Sequence, residues 1–202
     1  MSHTPNLALH VTPQSRPLPA DLAATAPWHD QHLLIDATPV HLRLIEPGDL
    51  EREIEFVAGL SPRTGYQRLM SARKPTLAEL QRWTEVDRKY EGAVVATAII
   101  DGREQQIAVA RYVIDGPDGQ ADFAMVITDA WQGKGLGAPL LLALVDLARR
   151  SGIRRLVGTT LSENRKMLNL ARRLGFRPRR QAGSAIITEL TMDLNAAPEL
   201  VH

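Results

Sequence analysis

Short apolar runs at His32 to Ile35 and Val40 to Ile45 flank Asp36-Ala37-Thr38-Pro39, and this turn-rich break predicts a hairpin. The period then becomes helical. Asp49 can cap a helix from Leu50 to about Ala58, and Ser61-Pro62 supplies a cap and a first-turn proline for a helix ending near Met70. Thr76-Leu77-Ala78-Glu79 has capping-box spacing for a helix from Leu77 to about Lys89. From Ala93 a period of two returns. Strands are predicted at Val94 to Ile100, Gln106 to Ile114 and Ala121 to Ile127, an antiparallel meander broken by Asp101-Gly102 and by the Gly- and Pro-rich stretch after Asp115. A glycine-rich turn from Gln132 to Gly137 then feeds a helix through Arg150 that is apolar nearly all round, and so is expected to be buried. Ile153 to Thr160 reads as a strand, and Ser162 as the cap of a helix whose Met167, Leu170, Ala171 and Leu174 share one face. Gly175-Phe176 has the pattern of a Schellman stop, and Ser184 to Leu194 reads as a final strand.

Ahead of these elements, Pro5, Pro13, Pro17, Pro19 and Pro27 interrupt any periodicity, so residues 1–31 read as an extended arm. The organisation expected is that arm, one domain over 32–194 and a short tail over 195–202. A hydrophobic fraction of 44% with 23% charged residues suits one globular domain. No apolar stretch approaches the roughly 20 residues of a spanning helix, and the N-terminus lacks the apolar centre of an export signal. We therefore expect no membrane association. Zero cysteines exclude a disulfide scaffold, a thiolate metal site and a cysteine nucleophile, and they fit a reducing, cytoplasmic setting. The six histidines lack ligand spacing on a helix, so no metal is expected.

A net charge of +1 gives no global field for gathering nucleic acid, and no specific nucleic-acid partner is expected. The charge is nonetheless segregated. Residues 149–180 carry eleven basic side chains and one acidic one, which is either a solvated face or a patch for a polyanionic ligand.

The Gln132-Gly133-Lys134-Gly135-Leu136-Gly137 turn lies between a strand and a helix N-terminus, where several backbone N–H groups converge on one point. That chemistry suits a pyrophosphate. A nucleoside-triphosphate P-loop would need glycine at position 128, which is Thr, and Ser or Thr after Lys134, which is followed by Gly135. A dinucleotide fingerprint would need GxGxxG after the first strand of a parallel unit, whereas this turn reads GxGxG and follows hairpin-linked strands. Glycines that merely permit a tight turn remain the plain alternative.

The same six residues match the Q/R-x-x-G-x-G/A acyl-CoA motif, and the chain resembles the GNAT N-acetyltransferases over about residues 32–193. Asn164 followed by Ala171, Leu174, Gly175 and Phe176 is similar to the second signature of that family. Leu60-Ser61-Pro62-Arg63, Ala108 to Tyr112 and Leu161 to Met167 look like the GNAT domain of bacterial protein lysine acetyltransferases. The resemblance implies an α/β (α+β) fold: a mixed, mostly antiparallel sheet with helices on both faces and an acetyl-CoA cleft between splayed central strands. It implies acetyl-CoA as co-substrate, with its pyrophosphate on the amides of Gly133, Gly135 and Gly137 within the turn that Leu136 completes. Gln132 and Lys134 would lie nearby, Asn164 along the pantetheine or phosphate arm, and the strand amides near Ile127 against pantetheine and the thioester carbonyl.

Acetyl transfer to an amine needs a base, because an amine with a pKa of about 10.4 is protonated at neutral pH. Where lysine acetyltransferases of the family carry Glu, this chain has Asp122, shorter by one methylene and so expected to work through a water. Where other members carry a tyrosine acid, it has Ala171. Asp122 is the catalytic candidate. The acceptor expected is a protein lysine, with a small amine, or a regulatory module that binds acyl-CoA without turnover, as the alternatives; the oligomeric state is left open.

Overall fold

The structure, a computed structural model, describes residues 28–69, 73–115 and 118–195. Most of the expected arm, Met70 and all but the first residue of the expected tail therefore lie outside the described residues. The chain enters through β1 (Gln31–Ile35) and β2 (Thr38–Leu44), whose two-residue turn places Asp36 and Ala37 at φ of 48° and 59°. Three helices follow, α1 (Leu50–Ala58), α2 (Pro62–Leu69) and α3 (Leu77–Thr84). The meander is β3 (Glu91–Ile100), β4 (Arg103–Ile114) and β5 (Gln120–Ile127). Then come α4 (Gly137–Arg150), β6 (Arg155–Leu161), α5 (Arg165–Arg173), β7 (Arg177–Arg180) and β8 (Ile187–Asp193).

The eight strands form one sheet in the order β1-β2-β3-β4-β5-β6-β8-β7, antiparallel throughout except between β5 and β6. Parallel strands cannot be joined by a tight turn, and α4 makes the crossover. β3 is an interior strand buried from Glu91 to Ala98, so alternate residues feed two cores. On one face Val94, Ala96, Ala110 and Phe123 pack against Leu140, Leu141 and Leu144 of α4 and Leu168 and Ala171 of α5. On the other, Ala93, Val95, Val109 and Val126 pack against Phe56 of α1. Helices thus cover both faces. Among the described residues no helix is long and apolar enough to cross a membrane.

Several sequence expectations shift. Asp49 does not cap α1; its buried carboxylate accepts from the Glu46 N–H at 2.9 Å and from Arg43 and Arg52 at 2.6 and 3.0 Å. α3 keeps its capping box at Thr76 and Glu79 but stops at Thr84, because Asp87 draws the following segment into a turn through Lys89 N–H at 3.0 Å. Ser162 pairs with the Thr188 hydroxyl at 2.8 Å, and Asn164 caps α5 instead. The expected last strand begins only at Ile187, and the separate edge strand β7 before it has no apolar alternation to announce it. The Schellman stop stands: Gly175 adopts φ of 89°, and the Phe176 N–H reaches the Ala171 carbonyl at 2.9 Å.

Candidate active site

β5 and β6 pair only from Gln120–Arg155 to Phe123–Gly158, after which the two strands part. Beyond that point β5 stays paired to β4 as far as Ile127, and β6 stays paired to β8 as far as Leu161. The divergence leaves strand-edge amides of β5 without a neighbouring strand and opens a cleft of about 1570 Å³. Gly158 sits at the crotch. A Cβ there would come within 2.5 Å of the Phe123 ring, so the glycine lets that ring, 5.1 Å from Phe176, fill the junction beneath the cleft.

The β5–α4 connection forms one end. Gly133 and Gly135 take φ of 81° and 95°, and a Cβ at either would meet nothing within 4 Å. The space over this turn is open, and positive φ is what demands glycine. Gly137 differs: a Cβ there would press Leu170 at 3.1 Å and Ile127 at 3.6 Å, so it seats the start of α4 against α5 and β5. The Leu136 side chain is fully buried and leaves only its main chain for binding. Lys134 extends outward, paired with Asp36 at 3.2 Å and lying 5.3 Å from the Trp131 ring centre.

Gln132, expected beside a pyrophosphate, turns its amide inward, donating to the Ile127 carbonyl at 3.1 Å and the Thr64 hydroxyl at 3.2 Å. Asn164 both lines the cleft and caps α5, accepting from the Met167 N–H at 3.2 Å. The exposed face of α5 continues that wall with Arg165, Lys166, Arg172 and Arg173, none of which has an ion-pair partner among the described residues. Helical spacing explains the segregation, since Leu168 and Ala171 take the buried face.

Asp122 is half-buried on β5, on the sheet face shared with Ala124 and Val126 and opposite that of Phe123. It lines the cleft where the strands part, and among the described residues its carboxylate has no hydrogen bond or ion pair. Burial, reinforced by the negative charges of Asp115 and Glu189, pushes its pKa up to about 6. Thus Asp122, Ile127, Gln132, the three glycines and Asn164 all border one cleft, whereas Lys134 and Leu136 belong to its turn without lining it. Among the described residues no tyrosine lines it, and Ala171 is buried. Among the described residues no cluster of His, Asp and Glu could hold a metal.

Sequence reading missed the opposite wall, where Arg63, Thr64 and Gln67 of α2 face the cleft. Asp129 holds this helix in place. It accepts from the Ser61 N–H at 3.0 Å and from the Ser61 and Thr64 hydroxyls at 2.8 Å each. Burial alone would raise its pKa, but these donors outweigh burial and hold the carboxyl below its ordinary value. The Ser-x-x-Thr spacing at residues 61–64 was the available signal; the distant acceptor was not.

Comparison with known proteins gives this geometry its setting. Residues 40–177 match the family described as Acetyltransferase (GNAT) domain. Acetyltransferase PA5475 of Pseudomonas aeruginosa is 33% identical over 155 residues, covering 76% of this chain and 83% of that protein. Acetyltransferase Pat of Mycolicibacterium smegmatis is 34% identical over 162 residues, 74% of this chain but 45% of that longer protein. The crystal structure of the GNAT domain of S. lividans PAT superposes with a TM-score of 0.72 at 26% identity, covering 81% of this chain and 96% of that one. Motif, splayed strands and family match converge: the chain belongs to the GNAT acetyltransferase family.

Proposed function

We propose that this protein transfers an acetyl group from acetyl-CoA to an amine, with a protein lysine side chain as acceptor, by direct attack in a ternary complex. The observation that carries this reading is the parting of β5 from β6 beside the glycine turn, with Asp122 at the junction. The residues fit the donor. The open space over Gly133 and Gly135 admits a pyrophosphate onto the turn amides, with Gly137 and Lys134 beside it. The free edge of β5 toward Ile127 suits an extended pantetheine arm, and Asn164 still has its side-chain N–H groups to offer it. When bound, acetyl-CoA supplies the thioester carbonyl that the amine attacks, with the C–S bond broken and the CoA sulfur leaving.

Asp122 is the base in this reading. A carboxylate with a pKa of about 6 is ionised at neutral pH yet more basic than an ordinary aspartate, which helps it take the ammonium proton through a water. The stretches similar to bacterial protein lysine acetyltransferases support a lysine acceptor, and the cysteine-free chain suits a reducing cytoplasm. Release of CoA thiol, measured with acyl-CoA synthetases, histone-like peptides and polyamines as acceptors, tests the assignment. Release with proteins or peptides supports it. Release with polyamines alone moves the acceptor to small amines, and CoA binding without release for any acceptor makes the protein a binding module.

A further inference from the structure

Over Ser61 to Gln67, α2 has little apolar anchoring. Of Ser61 to Gln67 only Thr64 is buried, and it is polar; Tyr66 is 41% exposed. Among the described side chains, the hydrogen bonds that hold the helix to the sheet end on the connection leading into the glycine turn. Asp129 takes Ser61 and Thr64, and Gln132, the first residue of that turn, donates to Thr64 as well. Gln132 is itself tied back to β5 through the Ile127 carbonyl and to Asp129 through its own N–H. α2 packs on β5 on the Asp122 face, and through Arg63, Thr64 and Gln67 it walls the side of the cleft away from α5.

We infer that Asp129, with Ser61, Thr64 and Gln132, is a positioning clamp that makes the α2 wall of the cleft depend on occupancy of the phosphate turn. The inference rests on the reading that CoA binds that turn. Phosphate oxygens fixed on the turn amides restrict the backbone from Gln132 onward. That restriction passes through the Gln132 amide and the Asp129 carboxylate to the first turn of α2, because these groups have few other partners. Filling the donor site therefore orders the wall of the cleft that α2 forms. Ordering of this kind needs no large movement, only a local segment whose opening is suppressed.

Hydrogen–deuterium exchange of the full chain, with CoA alone as the probe and CoA affinity measured by calorimetry on the same samples, tests the clamp. In the wild type CoA should slow exchange at 61–69. Thr64→Val should speed exchange there about tenfold without CoA, the equivalent of one lost hydrogen bond, and should abolish the slowing by CoA. Thr64→Ser, which keeps the hydroxyl, should preserve both, a rescue that a purely packing role for Thr64 does not give. Asp129→Ala should behave as Thr64→Val; if it does not fold, the two Thr64 variants decide the matter. Calorimetric CoA binding with unchanged exchange at 61–69 overturns the clamp alone, as does a Thr64→Val response identical to wild type. Absence of CoA binding overturns the donor-site reading and the clamp with it.

Discussion

Asp122 is a costly residue for the fold and, in the proposed reaction, the base. In the unfolded chain its carboxyl titrates at about 3.9, while burial beside Asp115 and Glu189 pushes it up to about 6 in the native state. The native state therefore binds the proton more tightly, so Asp122 is tolerated best below about pH 4 and destabilises progressively as pH rises through 6. Asp122→Asn should leave the melting temperature unchanged near pH 4 and raise it above pH 6, which thermal melts across that range would show. The same substitution should lower turnover by about 10²- to 10⁴-fold with acetyl-CoA affinity kept, and the wild-type rate should climb with pH through about 6. Full turnover of the variant at neutral pH would place the base elsewhere. Gly135 makes a second demand at this scale. At φ of 95° a β-branched side chain is strained and overhangs the approach to the turn amides, so Gly135→Val should weaken acetyl-CoA binding in a calorimetric titration. Gly135 was legible as a glycine between a strand and a helix, whereas Asp122 stood out only through the family resemblance, because a polar residue at an alternate strand position is otherwise unremarkable.

Elements were legible where a local rule ends them. The Asp101-Gly102 turn, the Thr76 capping box and the Gly175 stop all stand as the sequence predicts. They failed where another side chain takes the capping group away. Asp49 is drawn to Arg43 and Arg52, Ser162 to Thr188, and neither caps its helix. β7 carries Arg177, Arg179 and Arg180 around Pro178 and is a strand only because β8 supplies the hydrogen bonds. As an edge strand it tolerates the proline, and its charges discourage further pairing. The inward turn of Gln132 was equally hidden, because its partner Thr64 lies 68 residues away. The Gly175 stop deserves a direct measurement, since it fixes where α5 ends and hence where Arg172 and Arg173 meet the cleft. A Cβ there has room, being 3.7 Å from Met192, so Gly175→Ala isolates the backbone cost. A left-handed alanine costs about 1 kcal/mol, and for a chain of this length the melting temperature should fall by about 2–4 °C.

At the scale of the whole molecule, a net charge of +1 conceals two opposed fields. The α5 wall presents Arg165, Lys166, Arg172 and Arg173, while the sheet face bearing Asp122 has Asp115 and Glu189 close enough to shift its titration. Elsewhere several basic side chains are neutralised locally, as in Arg43 with Asp49, Arg82 with Glu91, Arg150 with Asp146 and Arg155 with Asp193. A highly anionic donor and a cationic acceptor would thus each find a matching field, separated by the thickness of one sheet. Exposed cations act over about 8–10 Å at 0.1–0.15 M salt, within reach of a phosphate lying along α5 but not of solvent charges farther away. Raising ionic strength should therefore raise the Michaelis constant for acetyl-CoA, and Arg172→Gln combined with Arg173→Gln should flatten that dependence while leaving the fold intact, since both side chains are exposed. A wild-type constant that ignores salt would return the four cations to the role of a solvated helix face.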